Sequence, residues 1–449
     1  MRHIVTSYTG EMPAPRKMKV VPLIAAIYFL VSGGPFGIED IVSRSGYRGA
    51  ILILLITPVI WSVPTALMVS ELASALPNQG GYYVWVTRGM GRFWGFQEAW
   101  LSLAGSVFDV ALYPALFISY LGHFAPAVTA GGLGLAIGVA LIAGSAVWNL
   151  MGAKSVGDSS VVTGIVMLAP FAVVTVYGVF RHGVSGGSAV PLHNVDVLGG
   201  ILVSMWNYMG WDYASTVANE VDRPQRTFPL ATGCAVALVA LSYVLPVGAV
   251  ALTGLDANRW STGGWADVAR AVIPVGLAGP IAVVITIGGM LGAWGTLNAQ
   301  MMQYSRLPAV MADDGLLPSF FSLRHPKTGA PLAGILACAV AWMLCLGLSF
   351  VKLIVLDVLL TGLSLLLEFA ALVALRIREP ELPRPYRVPG GLAGAIGVGV
   401  LPLALLVLTA ARNKVEPVGP INALELGTII VAAGVPAYFC LRRGRPTAG

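Results

Sequence analysis

The chain has 449 residues, of which 57% are hydrophobic and only 11% charged; its mean hydropathy is +0.80. A soluble domain carries about 25% charged residues, so this composition excludes a soluble globule and indicates an integral membrane protein. The net charge of +6 is not a nucleic-acid footprint, because the basic residues follow the membrane topology described below.

The opening segment, MRHIVTSYTGEMPAPRKMKV, places its charges and prolines ahead of the first apolar run and has no small-residue cleavage site after an apolar core. It is expected to be retained as a cytoplasmic segment, residues 1–20. The chain then reads as twelve apolar runs, roughly 21–43, 49–70, 93–121, 132–150, 159–180, 196–218, 229–253, 271–303, 330–350, 353–376, 391–411 and 421–441. Lengths near 20 residues predict membrane-spanning helices; barrel strands would be about half as long and would alternate polar with apolar residues. With the N-terminus inside, the loops predicted to face out hold only Arg44, Arg48, Arg181, Arg259, Arg270, Lys352, Arg412 and Lys414, eight of the 27 Lys and Arg. That asymmetry obeys the positive-inside rule and predicts that both termini are cytoplasmic. The tail bearing Arg442, Arg443 and Arg445 and the loop RIREPELPRPYRVPG carry much of the bias, with topology and anionic-lipid contact as their expected role.

Two of these runs are interrupted. In the first, VSGGPFGIED (31–40) places three glycines and a proline about 12 to 16 residues into the span, near the midplane at about 1.5 Å per residue. Such residues unwind a helix, and broken backbone at that depth persists only inside protein or along a cavity. In the sixth run, SMWNYMGWDYAST (204–216) holds Asn207, Gly210 and Asp212 near its middle. Runs one and six are an odd number apart and so cross in opposite senses, as an inverted repeat of five plus five helices demands. Paired interruptions at corresponding positions of two halves point to a transporter's binding site.

The acids follow. Glu39 and Asp40 would start the outer half of helix one, and Asp212 the inner half of helix six, where the helix dipole favours negative charge; capping and substrate binding stay open for all three. Glu98 is expected near enough to the cytoplasmic end of the third run to reach water. Asp109 in SVFDVALYP and Glu368 in LLLEFAALVAL lie deep in theirs, where ionisable groups default to pathway, coupling or counter-ion roles. No Lys or Arg occupies the centre of any run, Lys154 and Arg306 lying at ends, so the buried polarity is acidic and suits a cationic substrate, a proton, or both. Trp206, Tyr208, Trp211 and Trp294 could wall an ammonium through cation–π contact.

Other chemistries find no support. GAKS (152–155) has the wrong order for a phosphate-binding loop, no hydrolase or metalloprotease motif occurs, and the longest loops, about 25 residues, are too short for a catalytic domain. Cys234, Cys338, Cys345 and Cys440 lack CxxC spacing, and the histidines His3, His123, His182, His193 and His325 lie in loops or at span ends. No enzyme activity, cofactor, metal or nucleic-acid partner is expected.

These motifs resemble one family. VSGGPFGIED, WSVPTALMVSELASALPNQGGYYVWV, WGFQEAW, FDVALYP, GWDYASTVANEVDRPQRTFPLA, DGLLPSFFSLRHPKTGAP and LEFAALVALRIREPELPRPYRVP are similar to the amino acid–polyamine–organocation transporters, in their plant and protozoan polyamine uptake and L-type amino acid permease branch. The resemblance implies an all-α integral membrane fold of 12 helices. Residues 21–180 and 195–378 would form the two inverted five-helix repeats, with discontinuous helices 1 and 6, residues 391–441 two further helices, and 442–449 a cytoplasmic tail. It implies that Ser32, Gly33, Gly34 and Pro35 offer backbone groups to substrate opposite Trp206, Asn207, Tyr208 and Gly210, with Asp109, Trp211 and Asp212 completing an amine pocket. Asp109 and Glu368 would serve coupling or charge compensation. By position in the eighth run, Gln300 stands where the plant polyamine carriers tend to have an acid, which weakens the case for a polycation. The loop 122–131 lacks the cysteine that joins heteromeric exchangers to a partner, so no disulfide-linked subunit is expected. The sequence therefore leads to a plasma or inner membrane permease for amino acids or polyamines, proton-coupled and working by alternating access, with a cationic amine ahead of a neutral amino acid. The rivals are an exchanger of neutral amino acids and, from another class, a channel or transceptor on the same fold.

Overall fold

The computed structural model describes residues 18–78, 80–129, 132–151, 160–182, 195–326, 328–413, 417–418 and 420–442. Most of the N-terminal segment, GAKS at 152–155, residues 183–194 and the tail after 442 lie outside the described residues.

Helix α1 (Val20–Val31) ends at Ser32 because Gly33, Gly34 and Gly37 adopt φ of 61°, 105° and 87°, a left-handed region that glycine alone reaches cheaply. Helix α2 (Glu39–Thr57) starts after this break and bends again at Gly46, φ 65°. A π-helical turn at Pro58–Ser62 leads into α3 (Val63–Ala75). The short α4 (Gly81–Met90) precedes α5 (Arg92–Leu121), α6 (Gly132–Leu150) and α7 (Ser160–His182). A second break follows α8 (Val197–Asn207): Gly210 takes φ 91°, and the chain resumes at Tyr213–Glu220 as a 3-10 helix instead of the α-helix that an apolar run to 218 suggests.

Helices α9 (Pro224–Ala251), α10 (Trp265–Val272), α11 (Val275–Tyr304), α12 (Arg306–Asp313), α13 (Leu332–Met343), α14 (Phe350–Arg378), α15 (Gly391–Asn413) and α16 (Ala423–Arg442) complete the chain. A hairpin of β1 (Pro417–Val418) and β2 (Ile421–Asn422) precedes α16. Among the described residues, eight helical segments are long and apolar enough to cross a membrane, and four shorter apolar helices accompany them, including α1 and α8 ahead of the two breaks. The most apolar windows of α5 and α14 are 61% buried, against 17% for α15 and α16. The first pair therefore forms the packed centre, and the second faces outward.

The basic loop after α14 departs from its expected role. Arg376 and Arg384 turn inward, their side chains 2% and 6% exposed, onto the fully buried Glu71 at the end of α3. Arg376 Nε donates to Glu71 Oε1 at 2.9 Å, and the Val388 amide donates to Oε2 at 2.7 Å. A charge removed from water is tolerated only when paired and hydrogen-bonded, and here one carboxylate satisfies two guanidinium groups and an amide. Near the span ends these arginines read as topology signals; the fold uses two of them as internal fasteners.

Candidate functional site

The two breaks face each other. The Asn207 side chain, at the end of α8, donates to the Gly37 carbonyl at 3.4 Å and to Val203 at 2.9 Å, and the Asn207 carbonyl accepts from Tyr243 at 3.0 Å. Between them lies a first cavity lined by Ser32, Gly33, Phe36, Tyr113, Trp206, Asn207 and Thr296, among others. Gly33 is required for space as well as for φ, since a Cβ there would sit 2.7 Å from Thr296 Oγ1. Ser32 Oγ folds back onto Gly34, and the Pro35 carbonyl accepts from the Trp265 indole.

Beside this cavity Asp109 is buried and densely wired. Its Oδ1 accepts from Trp206 Nε1 at 3.2 Å and Tyr113 at 3.3 Å, and its Oδ2 from Gln300 Nε2 at 2.9 Å. Gln300 thus supplies a donor where a second acid would only repel. Trp206 packs edge-on against Phe350. Asp357 on α14 is also buried, its Oδ1 accepting from Thr361 at 2.7 Å. Asp357 is not among the expected site residues, although a lone acid within KLIVLDVLL carries the same signal that marks Glu368.

The remaining expected residues go elsewhere. Trp211, Asp212 and Gly210 line a second cavity with Trp61, Thr65, Ser102, Thr361, Ser364 and Glu368, so Asp109 and Asp212 do not share one pocket. Tyr208 points away from both, its hydroxyl bonded to the Leu54 carbonyl at 2.9 Å. Trp294 packs against Trp148 and lines neither. Glu98 does not reach water: it is fully buried, and its Oε1 accepts from Ser102 at 2.8 Å and Ser364 at 2.6 Å.

Glu39 and Asp40 occupy the first two positions of α2, and their side chains also reach partners on other elements. Glu39 is fully buried and accepts from the Tyr120 hydroxyl, while Asp40 accepts from Thr262 at 2.7 Å. Thr262 lies in the segment before α10, which closes over the first break: Trp265 packs on Phe171 and Trp260, and Trp260 Nε1 donates to Tyr47 at 2.9 Å. At the other end, Asp222 donates its amide to the Met18 carbonyl at 2.9 Å and Met18 pairs with Val221. Among the described residues no His/Cys/Asp/Glu group could hold a metal ion.

Comparison with known proteins agrees with this architecture. A family model described as amino acid permease matches residues 25–432. The chain is 37% identical over 429 residues to the polyamine transporter PUT1 of Oryza sativa subsp. japonica, covering 94% of this chain and 80% of that protein. It is 33% identical over 422 residues to the polyamine transporter RMV1 of Arabidopsis thaliana, covering 92% and 84%. The serine/threonine exchanger SteT of Bacillus subtilis is 25% identical over 385 residues, covering 84% and 85%.

Proposed function

The chain belongs to the amino acid permease family, and on that premise we propose that it is a proton-coupled symporter of cationic amines, polyamines ahead of amino acids, working by alternating access in the plasma or inner membrane. It is a multi-pass transporter and not an enzyme. In this reading twelve helices, five plus five inverted and two more, carry the chain across the bilayer with both termini in the cytoplasm. The two breaks hold the solute, with backbone groups of Ser32, Gly33 and Gly34 on one side and Trp206 and Asn207 on the other. Pro35, Tyr208 and Gly210 shape the breaks, and Trp211 and Asp212 line the neighbouring cavity.

The observation that carries the substrate class is the carboxylate of Asp109, bonded to Trp206 and Tyr113 of the first cavity, with no basic side chain among the residues lining that cavity. Buried negative charge of this kind calls for a cation, and the neighbouring Trp206 and Tyr113 rings offer π faces to it. The polyamine relatives support the same class. One observation favours exchange of amino acids instead: Gln300 leaves one carboxylate fewer at this level, and a relative of that activity is known.

Uptake of labelled putrescine, spermidine and a panel of amino acids into proteoliposomes, with and without a pH gradient, tests the proposal. Gradient-driven uptake of the amines is expected. Uptake that ignores the gradient but requires internal solute would establish an exchanger, and flux without saturation or counterflow a channel. Asp109→Asn is expected to raise the half-saturation concentration for amines by about tenfold or more, the scale of losing a buried charge partner, and to affect neutral amino acids much less. Equal losses on both would remove Asp109 as the amine counter-ion.

A further inference from the structure

Helices α5 and α14 pack along each other in antiparallel fashion, and the polar residues between them pair in strict register. Thr361 lies against Gly105 and Ser364 bonds Ser102 at 2.8 Å, a register that brings Asp357 level with Asp109 and Glu368 level with Glu98. Each step down one helix is matched by an equal step up the other. The result is a polar seam with a carboxylate pair at each end. The pairs are 11 residues apart on both helices (109 − 98 and 368 − 357), or about 16 Å at the rise of an α-helix.

The inner pair has features that the outer one lacks. Asp212, released into this region by the second break, lines one cavity with Glu368, Ser102 and Ser364, and those two hydroxyls donate to Glu98 Oε1, so three buried carboxylates meet here. The Oε2 atoms of Glu98 and Glu368 are buried without a hydrogen-bond partner, and Asp212 and Glu368 border the second cavity. The groups facing the cluster are Tyr82 from α4, Ser102 from α5, Trp61 from the π turn, Thr65 from α3 and Ser364 from α14, with Gln303 from α11 near Tyr82. None is a cation. The nearest basic side chains on the flanking α3–α14 contact, Arg376 and Arg384, are taken up by Glu71. Three ionised carboxylates cannot coexist there without neutralisation, and an atom with a free lone pair and no room for a bulky partner is suited to a proton.

We propose that Glu98, Asp212 and Glu368 form the coupling-proton site, distinct from the amine site at Asp109. This rests on the symport reading above and assigns its proton to a three-carboxylate cluster. The cluster spans elements of different kinds, two continuous helices and the broken segment after α8. While they are together the cluster must hold at least one proton, because its carboxylates cannot all be ionised at once. When the broken segment moves away, Asp212 separates from the other two and ionisation becomes tolerable. Proton release would thus be tied to the motion that frees the substrate.

The test uses the full-length protein in proteoliposomes, with Glu98→Gln, Glu368→Gln and Asp212→Asn made singly. Each is expected to lower pH-gradient-driven putrescine uptake and the accompanying proton influx about tenfold, while putrescine counterflow, which needs no net proton movement, stays within about twofold. Unchanged proton influx in all three variants would overturn the assignment. So would loss of counterflow with a raised half-saturation concentration, which would make the cluster a substrate subsite. Infrared spectra of the purified protein provide a readout independent of flux: a protonated carboxyl band near neutral pH is expected in the wild type and diminished in Glu98→Gln and Glu368→Gln. Absence of that band in the wild type would also overturn it. If the wild type transports no amine at all, the symport reading fails, and the infrared result still stands on its own.

Discussion

Asp109 and Glu71 show two ways in which a single carboxylate survives inside this protein. Asp109 is satisfied by neutral donors, an indole, a phenol and an amide, none of which carries a counter-charge. Glu71 meets two guanidinium groups, and its charge is spent on structure. Removing one member of a buried pair costs about 3–5 kcal/mol, because the other is left uncompensated. Glu71→Gln should therefore lower the thermal midpoint of the detergent-purified protein markedly. The double change Glu71→Gln with Arg376→Met should recover part of that loss. A double variant no better than the single one would show that packing, and not the ion pair, holds this corner. A lone sequence does not separate the two roles. It gives the approximate depth of an acid, but both Glu71 and Arg376 lie toward the ends of apolar runs, where charges ordinarily meet water.

At the scale of elements, the breaks were legible and the seam was not. Glycine and proline in the middle of an apolar run signal broken backbone, so the interruptions at 32–38 and 208–212 could be read directly, as could the start of α2 at Glu39. The facing of Glu98 to Glu368 depends on the register of two helices far apart in the chain, which no local pattern specifies. The 3-10 form of Tyr213–Glu220 was equally hidden, because its composition suits an α-helix. The segment holding Thr262 and Trp265 reads in sequence only as a loop and the approach to a span, yet it covers the first break through an indole-to-carbonyl bond and a stack of aromatic rings. Ala293 lines the cavity beneath it. In a protein freed of its native cysteines, Ala293→Cys should react slowly with a membrane-impermeant maleimide, and adding Trp265→Ala should speed labelling about tenfold, the loss expected when a large buried ring is deleted. Equal labelling rates would show that α10 does not act as the cover.

For the whole molecule, closure at both ends is the informative property. One end is covered by α10, and at the other Met18 pairs with Val221 and Asp222, joining the start of α1 to the end of the 3-10 segment. The alternating access proposed above requires these ends to open in turn. A Met18→Cys, Val221→Cys protein in the same cysteine-free background places two thiols across adjacent extended backbone, within the usual reach of a disulfide. Oxidation should reduce putrescine uptake about tenfold, and a reductant should restore it, since a few kcal/mol suffices to hold a two-state equilibrium at one side. Full uptake with the crosslink formed would mean that this end need not part during transport.

The buried Glu71 has one more consequence, which concerns time. Its partner Arg376 lies 305 residues later in the chain, and at roughly 5–20 residues per second a ribosome needs on the order of 15–60 s to reach it. For that interval the end of α3 carries a carboxylate with no counter-charge, and burying it at its final depth costs free energy that the native pair later offsets. The first half of the protein is therefore made before it can be finished, and its last adjustment waits for the synthesis of α14 and the loop that follows.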